Sequence, residues 1–267
     1  MVKFALVISV VFSLIVINTA FEIHPKIVRG YSAYSGQFPS FAFLEVQNGS
    51  PAKMSACGAS LISDQWLITA AHCLQNATKL VVHLGKTVLD KPEHTHVPIS
   101  VKRKNFFIFP RYAPNGVLHD IALIRLPRKV RFTEYIRPLP LPTVCKNPEN
   151  VESYTVGYGA TSDHSGVSPQ LKFALLTTLP AHVCRQVYQN SYPGRTVICA
   201  YNNVHGQSVC RGDSGGPLVS RTDGNLIGIS CFVRKDGCEL GIPQGFTNVY
   251  PYLGWISYVT GMNLPKC

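Results

Sequence analysis

Short apolar runs recur along the chain at strand length, at residues 41–47, 59–63, 66–70, 80–84, 121–126, 154–158, 217–220 and 226–232. Many end in Gly, Pro, Asn or Asp, which turn the backbone and separate one strand from the next. Only residues 251–261 have helical spacing, with Leu253, Ile256 and the pair Tyr258-Val259 about one turn apart. The pattern predicts an all-β globule with a short C-terminal helix. A Pro-rich zone at 130–150 would divide it into two β halves.

The first twenty residues follow another pattern. Lys3 precedes an almost unbroken apolar run from Phe4 to Ile17, and Asn18-Thr19-Ala20 follows with small and polar residues. The run is shorter than the roughly 20 residues a membrane span needs. Residues 1–20 therefore read as a secretory signal peptide cut after Ala20. No later stretch is apolar for long enough to suggest a bilayer crossing, so the expected product is soluble and extracellular, with no membrane partner.

Composition agrees with a compact β protein. Of 267 residues only 15% are charged, while 21 Gly and 19 Pro are scattered throughout. The length suffices for one large domain or two small ones, and no solenoid-length repeat is visible. Nine cysteines suit an oxidising compartment, and the odd number leaves at least one without an intramolecular partner. The formal charge is +11, and loss of Lys3, Glu22 and Lys26 would bring it to +10. Such a surface favours acidic partners, heparin-like glycans or anionic membranes. The basic residues are dispersed and no reader motif accompanies them, so nucleic acid is not expected and a plain solvated surface is preferred.

Candidate chemistry centres on Gly212-Asp213-Ser214-Gly215-Gly216-Pro217. A serine hydroxyl is a poor nucleophile until a base takes its proton. Flanking glycines let the backbone turn sharply and bring amide N–H groups close to a reacting carbonyl. Alone the string could be an ordinary turn. Upstream, however, stand Thr69-Ala70-Ala71-His72-Cys73 and Asp120-Ile121-Ala122-Leu123-Ile124. Together, in the order His, Asp, Ser, these segments resemble the chymotrypsin family of serine proteases, in an insect-like secreted form.

The resemblance runs from about Ile27 to about Ile256 and implies two six-stranded antiparallel β-barrels with the active site between them, over a domain spanning 27–267. It implies Ser214 as nucleophile, His72 as general base and then acid, and Asp120 as the group that orients His72. The N–H groups of Gly212 and Ser214 would form the oxyanion hole. His83, His94, His96, His119, His164, His182 and His205 have no such context; a strand would place His94 and His96 on one face, but exposed polar residues are the preferred reading over metal ligands.

In this family a cut frees an Ile-Val N-terminus whose ammonium pairs with the Asp beside the nucleophile. Lys26, Ile27 and Asp213 match those roles, with residues 21–26 as a short propeptide and a trypsin-like protease as activator. Arg29 departs from the family, which usually has Gly there. Ser208, six residues before Ser214, would form the base of the primary specificity pocket, with Val233 and Gln244 on its walls. Ser208 carries no charge, so cleavage after uncharged residues, aromatic or aliphatic, is expected. Cys231 stands where the family usually has a Ser that bonds the catalytic Asp; a one-residue shift would put Ser230 there instead.

The family's disulfides match Cys57 with Cys73, Cys184 with Cys199 and Cys210 with Cys238. Cys145 and Cys267 are candidates for a fourth bridge, leaving Cys231 as the odd thiol. Asn48-Gly49-Ser50 and Asn76-Ala77-Thr78 are glycosylation sequons. Calcium-binding relatives carry Glu after a Gly resembling Gly85; Lys86 follows here, and neither a metal nor another cofactor is expected. The expected function is a monomeric secreted endopeptidase acting on proteins or peptides, with protein protease inhibitors among its partners. The alternative is a non-catalytic homologue that binds or regulates, a class that commonly loses a triad residue; this chain keeps all three.

Overall fold

The computed structural model describes residues 27–50, 54–114, 118–189, 194–202, 206–232 and 237–267. The expected leader 1–20, the propeptide with Lys26, and Val233 lie outside the described residues. In the first half run β1 (Tyr31–Ser32), β2 (Phe41–Gln47), β3 (Met54–Leu61), β4 (Trp66–Thr69), β5 (Lys79–Leu84), β6 (Val97–Lys102), β7 (Phe106–Ile108) and β8 (Ala122–Arg125). After a long connection come β9 (Glu152–Gly157), β10 (Lys172–Thr178), α1 (Ala181–Tyr188), β11 (Val197–Tyr201), β12 (Pro217–Ser220), β13 (Leu226–Phe232), β14 (Gln244–Asn248) and α2 (Leu253–Thr260).

The first sheet is antiparallel in the order β6-β5-β2-β3-β4-β8-β7. Its two edge strands, β6 and β7, are consecutive in the chain and separated only by the 3-10 turn Arg103–Asn105. The sheet curls until covalent chain joins its edges. Counting that bent segment as one strand gives the expected six-stranded wall. In β2, the buried Ala42, Leu44 and Val46 alternate with Phe43, Glu45 and Gln47, so one pleat face fills the core and the other faces outward. Leu61, Leu67, Leu80, Val82, Leu84 and Ile124 complete the packing.

The second half closes by hydrogen bonds. β9, β10, β11, β14, β13 and β12 form a ring because β9 pairs with both β12 and β10. Its core holds Leu176, Ile198, Leu218, Ile227 and Phe246. Each half reaches across to the other. β1 adds to β10 of the second sheet, while Tyr252, Leu253 and Ile256 around α2 enter the first core. Between the halves Tyr158 packs on Phe41 and Phe43, with ring centres 5.8 and 5.4 Å away.

Two sequence expectations need correction. Helix α1 shows that the C-terminal stretch is not alone in being helical. Its sequence, Ala-His-Val-Cys-Arg-Gln-Val-Tyr, is short and mixes the exposed His182, Arg185 and Gln186 with a single buried residue, Cys184, so no apolar run marks it. β3 begins at Met54, five residues before the apolar run at 59–63. Its exposed start, Met54-Ser55, is held by pairing with Gln47 and Val46, not by burial. The Pro-rich division holds: no strand lies between β8 and β9.

Candidate active site

His72 sits in the 3-10 turn Ala71–Cys73 immediately after β4. Asp120 comes two residues before β8, which pairs with β4, so neighbouring strands deliver both side chains to one end of the first sheet. His72 Nδ1 and Asp120 Oδ2 are 2.6 Å apart, and the His72 backbone N–H donates to Oδ1 at 2.8 Å. Both carboxylate oxygens are thus engaged by one residue, which fixes the imidazole relative to the carboxylate.

The second barrel supplies further contacts. Thr247 Oγ1 on β14 donates to the Asp120 carbonyl at 2.9 Å, and the Cys231 thiol on β13 donates to Oδ2 at 3.0 Å. The β13–β14 register shifts between Ser230 and Phe232, leaving Cys231 as the extra residue of a bulge. Cys231, not Ser230, faces the aspartate. Burial pushes the Asp120 carboxyl up, but the bonds and charge of His72, with the Cys231 thiol and the His72 amide, outweigh it and hold Asp120 below the usual carboxylate range. Burial and the Asp120 charge drive the Cys231 thiol upward, so it remains a protonated donor.

Ser214 lies in the loop leading into β12 and is docked against the first barrel. Its carbonyl accepts from Gly58 N–H at 2.7 Å, and Gly58 adjoins Cys57, which is bridged to Cys73 beside His72. Gly215 has φ +79°, and a Cβ there would collide with Thr69 Oγ1 and the Gly58 carbonyl. Only glycine permits this approach of the two barrels. Gly212, at φ +99°, sets the direction of the turn before the serine. These contacts gather His72, Asp120 and Ser214 at the seam between the halves.

Asp213 turns away into the second barrel. It is 1% exposed, and its two oxygens accept from Gly159 N–H at 2.7 Å and Cys210 N–H at 2.9 Å. Among the described residues no side-chain cation pairs with it. Burial pushes its carboxyl up to about 7, against the pull of the Cys210 and Gly159 amides. Ile27 is fully buried and Val28 bridges to Ser208. Arg29 has φ +55°, a left-handed conformation that costs a non-glycine residue about 1 kcal/mol. The substitution of Arg for the family's Gly therefore falls where glycine would be favoured.

Ser208 is buried, and its hydroxyl donates to the Val209 carbonyl at 2.8 Å. Gln244 is buried too; its Nε2 donates to the Ile242 carbonyl at 2.7 Å while its Oε1 has no partner. The cysteines pair as Cys57–Cys73, Cys145–Cys267, Cys184–Cys199 and Cys210–Cys238, with Cys231 free and buried. Asn48 and Asn76 both lie near His72, on the first barrel. His83 and His96 meet each other instead, Nδ1 to Nε2 at 2.9 Å, on the β5 side of that barrel. Sequence patterns did not single out Thr247 or Gly58; neither stands in a motif, and only the paired barrels give them a role.

An imidazole locked to a buried carboxylate, at a two-barrel seam that also holds a serine in a Gly-rich turn, defines the chymotrypsin-like class of serine hydrolases. The trypsin family profile matches residues 27–256. The chain is 33% identical over 264 residues to the collagenase of Hypoderma lineatum, covering 94% of this chain and 97% of that protein. It is 34% identical over 237 residues to brachyurin of Leptuca pugilator, covering 88% and 99% of the two. A solved HL collagenase structure superposes with a TM-score of 0.80 at 33% identity, covering 89% of this chain and all of that one. The chain belongs to the trypsin family and is a serine endopeptidase.

Proposed function

We propose that this chain is a secreted precursor, activated by a cut after Lys26, that hydrolyses peptide bonds through an acyl-enzyme on Ser214. The observation that carries the reading is the two-point hold of Asp120 on His72. With Nδ1 committed to the carboxylate, Nε2 is left to take the Ser214 proton as the oxygen attacks the scissile carbonyl. The N–H groups of Gly212 and Ser214 receive the oxyanion, each worth about 3 kcal/mol in such sites. Protonated His72, stabilised by Asp120, passes its proton to the leaving amine. Water then enters, gives a proton to His72, and releases the acyl group from Ser214.

Ser208 supports a preference for uncharged residues before the scissile bond. It brings a hydroxyl already bonded to the backbone, and no charge, to the pocket base. Gln244 is neutral as well. Activation rests on Asp213: an ammonium at Ile27 would give that buried carboxyl the partner it lacks. Lys26 points to a trypsin-like activating protease, and residues 1–20 to export. A non-catalytic role has no structural observation in its favour, since His72 and Asp120 are tightly joined.

The test is to cut the protein with trypsin, verify Ile27 as the new N-terminus, and profile cleavage of a peptide library. The expected result is cleavage after aromatic or aliphatic residues that a serine-directed covalent inhibitor stops. Ser214→Ala should abolish turnover with the fold intact. Substantial peptidase activity in that variant would sink the mechanism, and a preference for Lys or Arg would sink the pocket reading.

A further inference from the structure

The two sequons lie far apart in sequence but meet beside His72. Asn48 follows directly on β2, and Asn76 follows the turn that carries the histidine. Thr78 ties the loops together, donating its N–H to the Gln47 carbonyl at 3.0 Å and its hydroxyl to the same oxygen at 3.2 Å. Between them opens a cavity of about 290 Å³ lined by Asn48, Gly49, Ser55, His72, Cys73 and Asn76. Every one of these residues belongs to the first barrel. Ser208, the proposed pocket base, belongs to the second.

That division gives the cavity a place in the reaction. The side chain before the scissile bond would enter the second barrel, and His72 would protonate the leaving amine. The segment after the scissile bond therefore passes His72 over the first barrel, where the cavity lies. The two asparagines are not equivalent there. Asn48 is half-buried and its Nδ2 donates to Ser55 Oγ at 2.9 Å. Asn76 is exposed, with the fully buried Ala77 anchoring the chain next to it, so its side chain is presented outward from a fixed backbone.

We propose that Asn76 carries an asparagine-linked oligosaccharide that narrows the half of the cleft receiving residues after the scissile bond, and so filters substrates by their bulk there. This rests on the proposed export and peptidase action. In the modification, Asn76 Nδ2 displaces the diphosphate of a lipid-linked oligosaccharide donor of the secretory pathway. A C1–Nδ2 bond forms, the C1–O bond to diphosphate breaks, and the lipid diphosphate leaves while Nδ2 gives up one proton. A hydrated glycan rooted beside His72 leaves room for a thin extended peptide and obstructs a folded protein. It leaves the second-barrel pocket open.

The experiment uses the full chain secreted from a eukaryotic host and trypsin-activated. Peptide mapping after treatment with a peptide-N-glycosidase should find the conversion of Asn76 to Asp that marks a released glycan. Asn76→Gln and Thr78→Ala should both lose the glycan, while Thr78→Ser keeps it. Two substrates are compared: a short peptide anilide with only a small leaving group after the scissile bond, and a folded protein. Removing the glycan, by enzyme or by either variant, should raise kcat/KM several-fold for the protein and leave the anilide unchanged. An unoccupied Asn76, an equal gain on both substrates, or no gain on the protein overturns the proposal. Anilide hydrolysis that continues in those cases keeps the peptidase reading. Failure to cleave either substrate would defeat that reading instead.

Discussion

Asp120 and Asp213 are both nearly sealed from water, 2% and 1% exposed, yet their carboxylates stand in opposite conditions. Asp120 has the His72 ring, the His72 amide and the Cys231 thiol around it, and it is held ionised below its ordinary range. Asp213 has two backbone amides and, among the described residues, no cation, and burial lifts it to about 7. A buried charge is tolerated where partners replace its lost water and is costly where they do not. Asp120 has its full set of partners in the described structure. Asp213 has no side-chain cation among the described residues, and the fully buried Ile27 belongs to the segment that would supply one.

Removing the charge from the completed site should have the larger consequence. Asp120→Asn would put an amide against His72 Nδ1 and favour the wrong imidazole tautomer, lowering kcat by about four orders of magnitude. The backbone contacts from Thr247 would survive, so the thermal transition should move much less than the rate. Steady-state kinetics on the activated variant, with circular dichroism alongside, would decide it. A rate within tenfold of the parent would mean that Asp120 is not what orients His72.

The second test reads Asp213 through pH. Its folded-state pKa is raised, so between its unfolded value of 3.8 and about 7 the folded uncut chain holds more protons than the unfolded one. Stability must then fall as pH rises through that window, by about 4 kcal/mol for three pKa units. Below pH 4 the contribution is intact, and above 7 it is lost. Asp120, whose pKa is depressed, has the opposite slope: its stabilisation is fully present above its unfolded value of 3.8 and is lost only as pH falls below it. Urea unfolding of the Ser214→Ala chain from pH 4 to 8, before and after the cut at Lys26, separates them. The uncut form should weaken towards neutral pH and the cut form should not. Parallel curves would contradict an Ile27–Asp213 pair.

Residue order made Asp120 easier to find than to understand. The His, Asp and Ser motifs stood out because nucleophile, base and Gly-rich turn each need particular residue types. The apolar run at 41–47 likewise betrayed β2, where one face meets the core. Other determinants left little local trace. α1 buries a single side chain, and the start of β3 is held by its neighbour β2. Thr247 and Gly58 act only because the barrels approach each other. The choice between Ser230 and Cys231 depended on a bulge, which shifts register by one residue without a distinctive sequence.

That bulge also allows the smallest and most specific test of what completes the Asp120 site. The thiol of Cys231 occupies a donor position 3.0 Å from Oδ2, but sulfur donates weakly compared with a hydroxyl. Cys231→Ser keeps the size and the geometry while strengthening the bond to a charged acceptor, for a gain of about 1 kcal/mol. If that gain is realised mainly when His72 becomes protonated, kcat rises roughly five-fold with KM unchanged. Cys231→Ala removes the donor and should lower kcat, with Asp120 losing one of the contacts that hold its pKa down. The acid-induced unfolding of Cys231→Ala should accordingly begin at higher pH than that of Cys231→Ser. If both variants match the parent in kcat and in acid stability, His72 alone suffices to hold Asp120, and the thiol is only a small buried side chain.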